Sequence, residues 1–116
     1  MNFETLKCSV DLKGIGRLAL QRPEAHNALN MQLIREMRHA LRDFGEVSGL
    51  RALVLTGSGK SFCAGGDLRW MQEMTHQDAS ERMKDAEELA LLLLELNRAP
   101  FEVVGRINGS AYGGGL

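Results

Sequence analysis

The sequence predicts an α/β fold built on parallel βαβ units, on three observations. A continuous apolar run, Arg51–Gly57 (RALVLTG), ends in glycine, and a second, Phe101–Asn108 (FEVVGRIN), enters another glycine cluster. Between them lies a leucine-rich stretch from Ala79 to Asn97, with Pro100 just past its end. The first run, short and continuous, reads as a strand buried on both faces, and the second as a further strand. Strand, helix, strand in that order closes through a right-handed crossover.

The remaining elements follow in chain order. Thr5–Leu12 alternates and is rich in strand formers, LKGIG supplies a turn, and Gly16–Gln21 returns, so a hairpin is expected. Arg22–Asn30 (RPEAHNALN) is an irregular connection punctuated by Pro23 and its asparagines. Asn30 is a suitable N-cap. Beyond it Leu33, Ile34, Met37, Leu41 and Phe44 recur at three- and four-residue spacing, which predicts an amphipathic helix over 31–47 ending near Gly49. After the Arg51–Gly57 strand, GSGKSFCAGGDL reads as an irregular loop and Asp67–Met74 as a short helical turn. The leucines of the 79–97 helix wrap most of its surface, which predicts burial nearly all round. Trp70, Met71 and Met74 read either as core beneath it or as the lining of an apolar pocket, with core preferred. Glu73, Glu87, Glu88 and Glu95 are expected on solvated faces.

Bulk properties narrow the function classes. With 116 residues, of which 44% are hydrophobic and 25% charged, the chain can bury a core, and no repeat or linker marks a domain boundary. A formal net charge of −1 gives no electrostatic argument for nucleic acid or an anionic membrane. The N-terminus lacks the apolar region of a signal peptide. The longest apolar run, Leu89–Leu94, is far short of the ~20 residues a membrane span needs. Cys8 and Cys63 show neither a C-x-x-C motif nor metal spacing, so reduced thiols and a cytoplasmic location are expected. His26, His39 and His76 are scattered, and no metal site is expected.

The stretch from Leu55 to Leu68 (LTGSGKSFCAGGDL) carries the functional question, since a glycine-rich loop leaving a strand frees backbone N–H groups for an anion. A nucleotide phosphate fits poorly. With Gly59, Lys60 and Ser61 set in the G-x-x-x-x-G-K-[ST] pattern, the first glycine should be residue 54, which is Val54. In G-x-G-x-x-G register with Gly57 and Gly59, position 62 is Phe62. A reacting carbonyl fits better. The CAGGD and AYGGGL loops both leave C-terminal ends of strands in one crossover, so they can converge and offer one N–H each to an oxygen that becomes negative. Either loop alone reads equally as a tight turn.

Three segments, taken together and in order, resemble the enoyl-CoA hydratase/isomerase (crotonase) superfamily. RPEAHNALN is similar to its R-P-x-x-x-N-A-L segment, LTGSGKSFCAGGDL to its T-G-x-G-x-x-F-x-A-G-x-D-L loop, and INGSAYGGGL to its N-G-x-A-x-G-G-G segment. The resemblance implies a crotonase-like ββα superhelix, with residues 1–116 as the N-terminal portion of one domain ending after the triple glycine. It implies an oxyanion hole made by the N–H groups of Gly66 and Gly114. It places Ala64, Asp67 and Leu68 along the acyl-CoA thioester and its pantetheine arm, and Arg22 and Ala25 near the nucleotide end. Lys60 is expected in solvent. The implied partner is an acyl-CoA thioester, with coenzyme A as part of the substrate and no separate cofactor.

The implied reaction is addition of water to a 2-enoyl-CoA in fatty acid or branched-chain amino acid degradation. GGDLRWMQEM also resembles the methylglutaconyl-CoA-like hydratases. Enoyl-CoA isomerase or another reaction on the same scaffold stays open, as does a non-catalytic acyl-CoA-binding product. Full-length relatives are implied to be trimers or hexamers. The family's two catalytic glutamates follow the triple glycine, so the 116-residue chain is expected to be an incomplete, inactive fragment.

Overall fold

A computed structural model describes residues 1–116. The predicted hairpin is present, with β1 (Leu6–Val10) antiparallel to β2 (Ile15–Leu20). The Asp11 carboxylate closes its turn by accepting from the N–H groups of Lys13 and Ile15, while Gly14 takes the left-handed conformation at φ +84°. Strand β2 pairs in parallel with β3 (Ala52–Gly57), and β3 in parallel with β5 (Glu102–Gly105), giving the order β1-β2-β3-β5. The two glycine-ended runs are therefore parallel neighbours, as expected.

Helix α1 (Met31–Gly45) begins where the Asn30 side chain accepts from the N–H of Leu33 at 2.9 Å. Its buried face consists of Leu33, Ile34, Met37, Ala40, Leu41 and Phe44. That face packs on the sheet through Leu18, Leu20 and Leu53 and forms the core. Helix α2 (Leu68–Met74) and helix α3 (Ala79–Asn97) follow, and α3 belongs to the crossover from β3 to β5.

Four local expectations need correction. Helix α3 is not buried all round: only Asp85 and Leu92 are buried, while Met83, Leu93 and Leu94 are exposed. It rests on the core along one stripe of Leu89, Leu92 and Leu96. Glu88 and Glu95 are not simply solvated, for they tie α3 to α1. Arg35 Nε lies 2.9 Å from Glu88, and Arg38 lies 3.3 Å from Glu88 and 2.8 Å from Glu95. Trp70 is buried and Met74 packs on the core, but Met71 is exposed. Finally, the loop read as irregular contains a short strand, β4 (Ser61–Cys63), which pairs in parallel with β6 (Ser110–Ala111). Strands of three and two residues are too short to show a period.

Both thiols are free. Burial pushes the Cys8 thiol up to about 11 and raises that of Cys63, so neither is a reactive thiolate near neutral pH. No helix is long and apolar enough to cross a membrane.

Candidate active site

Two asparagines hold the glycine-rich loop. Asn27, fully buried and left-handed at φ +56°, donates through Nδ2 to the carbonyls of Ser58 and Ser61 at 2.9 and 3.0 Å. Its Oδ1 accepts from the N–H of Arg22 at 2.8 Å. From the other side, Asn108 accepts from the N–H of Gly57 at 3.0 Å and donates to Gly59 and Ser61 at 3.1 and 3.2 Å. Sequence reading passed over both as site residues. Their signal was an asparagine in each motif flanking the loop, a residue whose amide can donate and accept at once.

The path from Cys63 to Asp67 is set by backbone pairing. Ala64 donates to the His26 carbonyl at 3.1 Å, Leu29 donates to Gly65 at 2.6 Å, and Asp67 donates to Leu29 at 2.8 Å. The last two bonds form a parallel bridge between Leu29 and Gly66. In such a bridge Leu29 turns both its polar groups toward the partner segment, and Gly66 turns its own away. The N–H of Gly66, an exposed residue, is thereby aimed off the strand pair.

Pairing of β4 with β6 lays the second loop beside the first, and the Tyr112 N–H donates to Cys63 at 3.0 Å. The contact is close enough to require glycine. A Cβ on Gly115 would sit 2.3 Å from the Cys63 carbonyl oxygen, and one on Gly65 2.9 Å from that of Tyr112. Gly113–Gly115 forms a 3-10 turn whose bonds run from Gly115 to Tyr112 and from Leu116 to Gly113. The first N–H groups of such a turn have no partner within it. None of the turn and loop backbone hydrogen bonds uses the N–H of Gly66 or of Gly114. Both residues lie against Leu29: Gly66 bridges its backbone, and a Cβ on Gly114 would meet Leu29 Cδ1 at 3.0 Å.

The other expected site residues are distributed around this pair. Ala64 is half-buried behind Gly66, and Leu68 is exposed at the start of α2. Ala25 closes a 3-10 turn, Pro23–Ala25, whose Pro23 packs beneath Gly59. Lys60 is exposed. Arg22 is not solvated: its Nη2 lies 3.0 Å from Asp67 Oδ2, and its Nη1 donates to the Ala28 carbonyl. Asp67 Oδ1 caps α2 by accepting from the N–H of Trp70 at 3.0 Å. Burial opposes ionisation of Asp67, but the Trp70 N–H and the Arg22 guanidinium outweigh it and hold the carboxyl below its usual range. The histidines are not gathered here: His26 lies 3.2 Å from Ser61 Oγ, and His39 pairs with Asp43. An apolar cavity of about 210 Å³, lined by Leu29, Leu55, Leu92, Ile107 and Gly114 among others, opens beside the second loop.

The two glycines of the first loop differ in what they tolerate. Gly65→Ala puts a Cβ at φ +88° against backbone, with an expected loss of at least ~1–3 kcal/mol in urea unfolding. Gly66→Ala meets only the flexible Met71 thioether, at 3.1 Å, and is expected to change stability by less than ~1 kcal/mol.

Parallel strands thus deliver two glycine loops side by side in an α/β fold, each with an N–H that no backbone bond uses. Residues 11–116 match the family model described as enoyl-CoA hydratase/isomerase. A probable enoyl-CoA hydratase, echA6, of Mycobacterium tuberculosis is 45% identical over 103 residues, covering 85% of this chain and 37% of that protein. A mitochondrial enoyl-CoA hydratase of Pongo abelii is 39% identical over 103 residues, covering 87% of this chain and 33% of that protein. The crystal structure of an enoyl-CoA hydratase from Shewanella pealeana superposes with a TM-score of 0.93 at 33% identity, covering 97% of this chain and 42% of that one. The chain belongs to the enoyl-CoA hydratase/isomerase family, and it spans less than half the length of these relatives.

Proposed function

We propose that this chain supplies the carbonyl-polarising part of an enzyme that adds water to a 2-enoyl-CoA, with the thioester oxygen held by the N–H groups of Gly66 and Gly114. The observation that carries the reading is the pair of N–H groups left unpaired where the two loops meet at Leu29. Charge collects on the thioester oxygen as the enolate-like state forms, and preorganised donors there stabilise that state more than the ground state. The β-carbon is then open to water. An isomerase would use the same polarised thioester, as the family's description allows.

Proton transfer is a separate requirement, and positioned acid–base groups contribute ~10²–10⁴ in rate. Asp67 follows Gly66 in sequence, but its carboxylate is committed to Arg22 and to the cap of α2. It is not a free base. Purified residues 1–116 are therefore expected to bind crotonyl-CoA yet to hydrate it at least ~10²-fold more slowly than a full-length relative. Hydration at the relative's rate would place the acid–base groups within this stretch, and absence of any crotonyl-CoA binding would refute the acyl-CoA reading.

A further inference from the structure

The Leu29–Gly66 bridge has a cross-tie. Ala28 precedes Leu29 on one side of the bridge and Asp67 follows Gly66 on the other. Arg22 grips both, with Nη1 on the Ala28 carbonyl and Nη2 3.0 Å from Asp67 Oδ2. The two charged side chains are 16% and 14% exposed, so this ion pair lies mostly out of water, where charge-assisted bonds are strong and geometrically strict. The planar guanidinium suits the task, since one rigid group fixes the separation of two acceptors. Each Asp67 oxygen has its own partner, Arg22 for Oδ2 and the Trp70 N–H for Oδ1. The peptide carrying the Gly66 N–H is thus held by Leu29 through the backbone and by Arg22 through Asp67. Two of the guanidinium's five N–H donors are spent in this way, and they fix the direction in which the group faces.

We propose that Arg22 is a positioning residue, which locks the Leu29–Gly66 bridge through Ala28 and Asp67 and so aims the Gly66 N–H at the thioester oxygen, and that it is not a ligand of coenzyme A's phosphates. The proposal rests on the acyl-CoA reading of the site.

Asp67→Asn is the cleanest probe, because asparagine retains the N-cap while removing the charge that faces Arg22. Arg22→Gln removes the other partner. In the full 116-residue chain, calorimetry would use two ligands, crotonyl-CoA and adenosine 3′,5′-bisphosphate, the free nucleotide end of coenzyme A. Amide exchange would be followed by NMR at Leu29 and Asp67, whose N–H groups make the bridge. Each variant is expected to weaken crotonyl-CoA about tenfold, the worth of one charged hydrogen bond. The double variant should lose little more than either single one, as expected of residues acting as a unit. Bisphosphate affinity should stay within about twofold, while exchange at both amides accelerates about tenfold or more.

A fall in bisphosphate affinity with Arg22→Gln, with Asp67→Asn silent, would overturn the proposal and make Arg22 a phosphate ligand. Unchanged amide exchange in both variants would also overturn it. A wild-type chain that binds no crotonyl-CoA would refute the acyl-CoA reading itself. The exchange rates would then still decide whether Arg22 and Asp67 lock the bridge.

Discussion

Gly114→Pro, introduced into an active hydratase that carries this segment, lowers kcat at least ~10²-fold, because it deletes one of two donors to the developing oxyanion. Proline removes the N–H, which neither of the turn's own bonds uses. The 3-10 turn Gly113–Gly115 keeps its two bonds, which begin at Gly115 and Leu116. An added Cβ meets only the movable Cδ1 of Leu29, at 3.0 Å. Removing an interaction made in the transition state lowers kcat and kcat/KM together. A rise in KM with kcat unchanged would assign Gly114 to ground-state binding instead. Near-normal turnover in a folded variant would remove it from the site.

Phe44→Ala is expected to destabilise the chain by ~3–5 kcal/mol, the cost of emptying a fully buried aromatic site. Phe44 is completely inaccessible on the inner face of α1. Its ring packs on Gly16 of β2, where an added Cβ would meet Cε1 at 3.0 Å. Little can collapse into the space, since the same region is bounded by Leu53 of the central strand, also completely buried. Native domains hold only ~5–15 kcal/mol in total, so this loss removes a large share of the margin. Urea denaturation would show a lower midpoint at an unchanged slope. A midpoint near that of the parent chain would mean that α1 does not anchor the sheet.

What could be read before the structure follows from length and periodicity. Helix α1 shows twelve residues of regular spacing from Leu33 to Phe44 with charges between, and the structure buries those apolar positions. The β3 and β5 runs are continuous and glycine-ended, and they pair in parallel as read. Strands β4 and β6 carry no pattern, because five residues in all cannot alternate visibly. Helix α3 misled for a different reason. A helix apolar on many sides reads as buried, but burial depends on neighbours, and here it has them along one stripe.

At the site, the glycine richness of the two loops was legible, and close backbone approach accounts for it at Gly65 and Gly115. The commitment of Arg22 to Asp67 was not. Those residues are 45 positions apart, and only the folded Leu29–Gly66 bridge brings their side chains together.

The central claim is that two specific backbone N–H groups meet the thioester oxygen. Titration of the isotopically labelled 116-residue chain with crotonyl-CoA, followed by NMR at individual amides, tests it most directly. The amide protons of Gly66 and Gly114 are expected to move downfield together as the ligand binds. The amide of Asp67, already bonded to the Leu29 carbonyl at 2.8 Å, should stay nearly still. Saturable binding of crotonyl-CoA that leaves the Gly66 and Gly114 amides unmoved would contradict the claim.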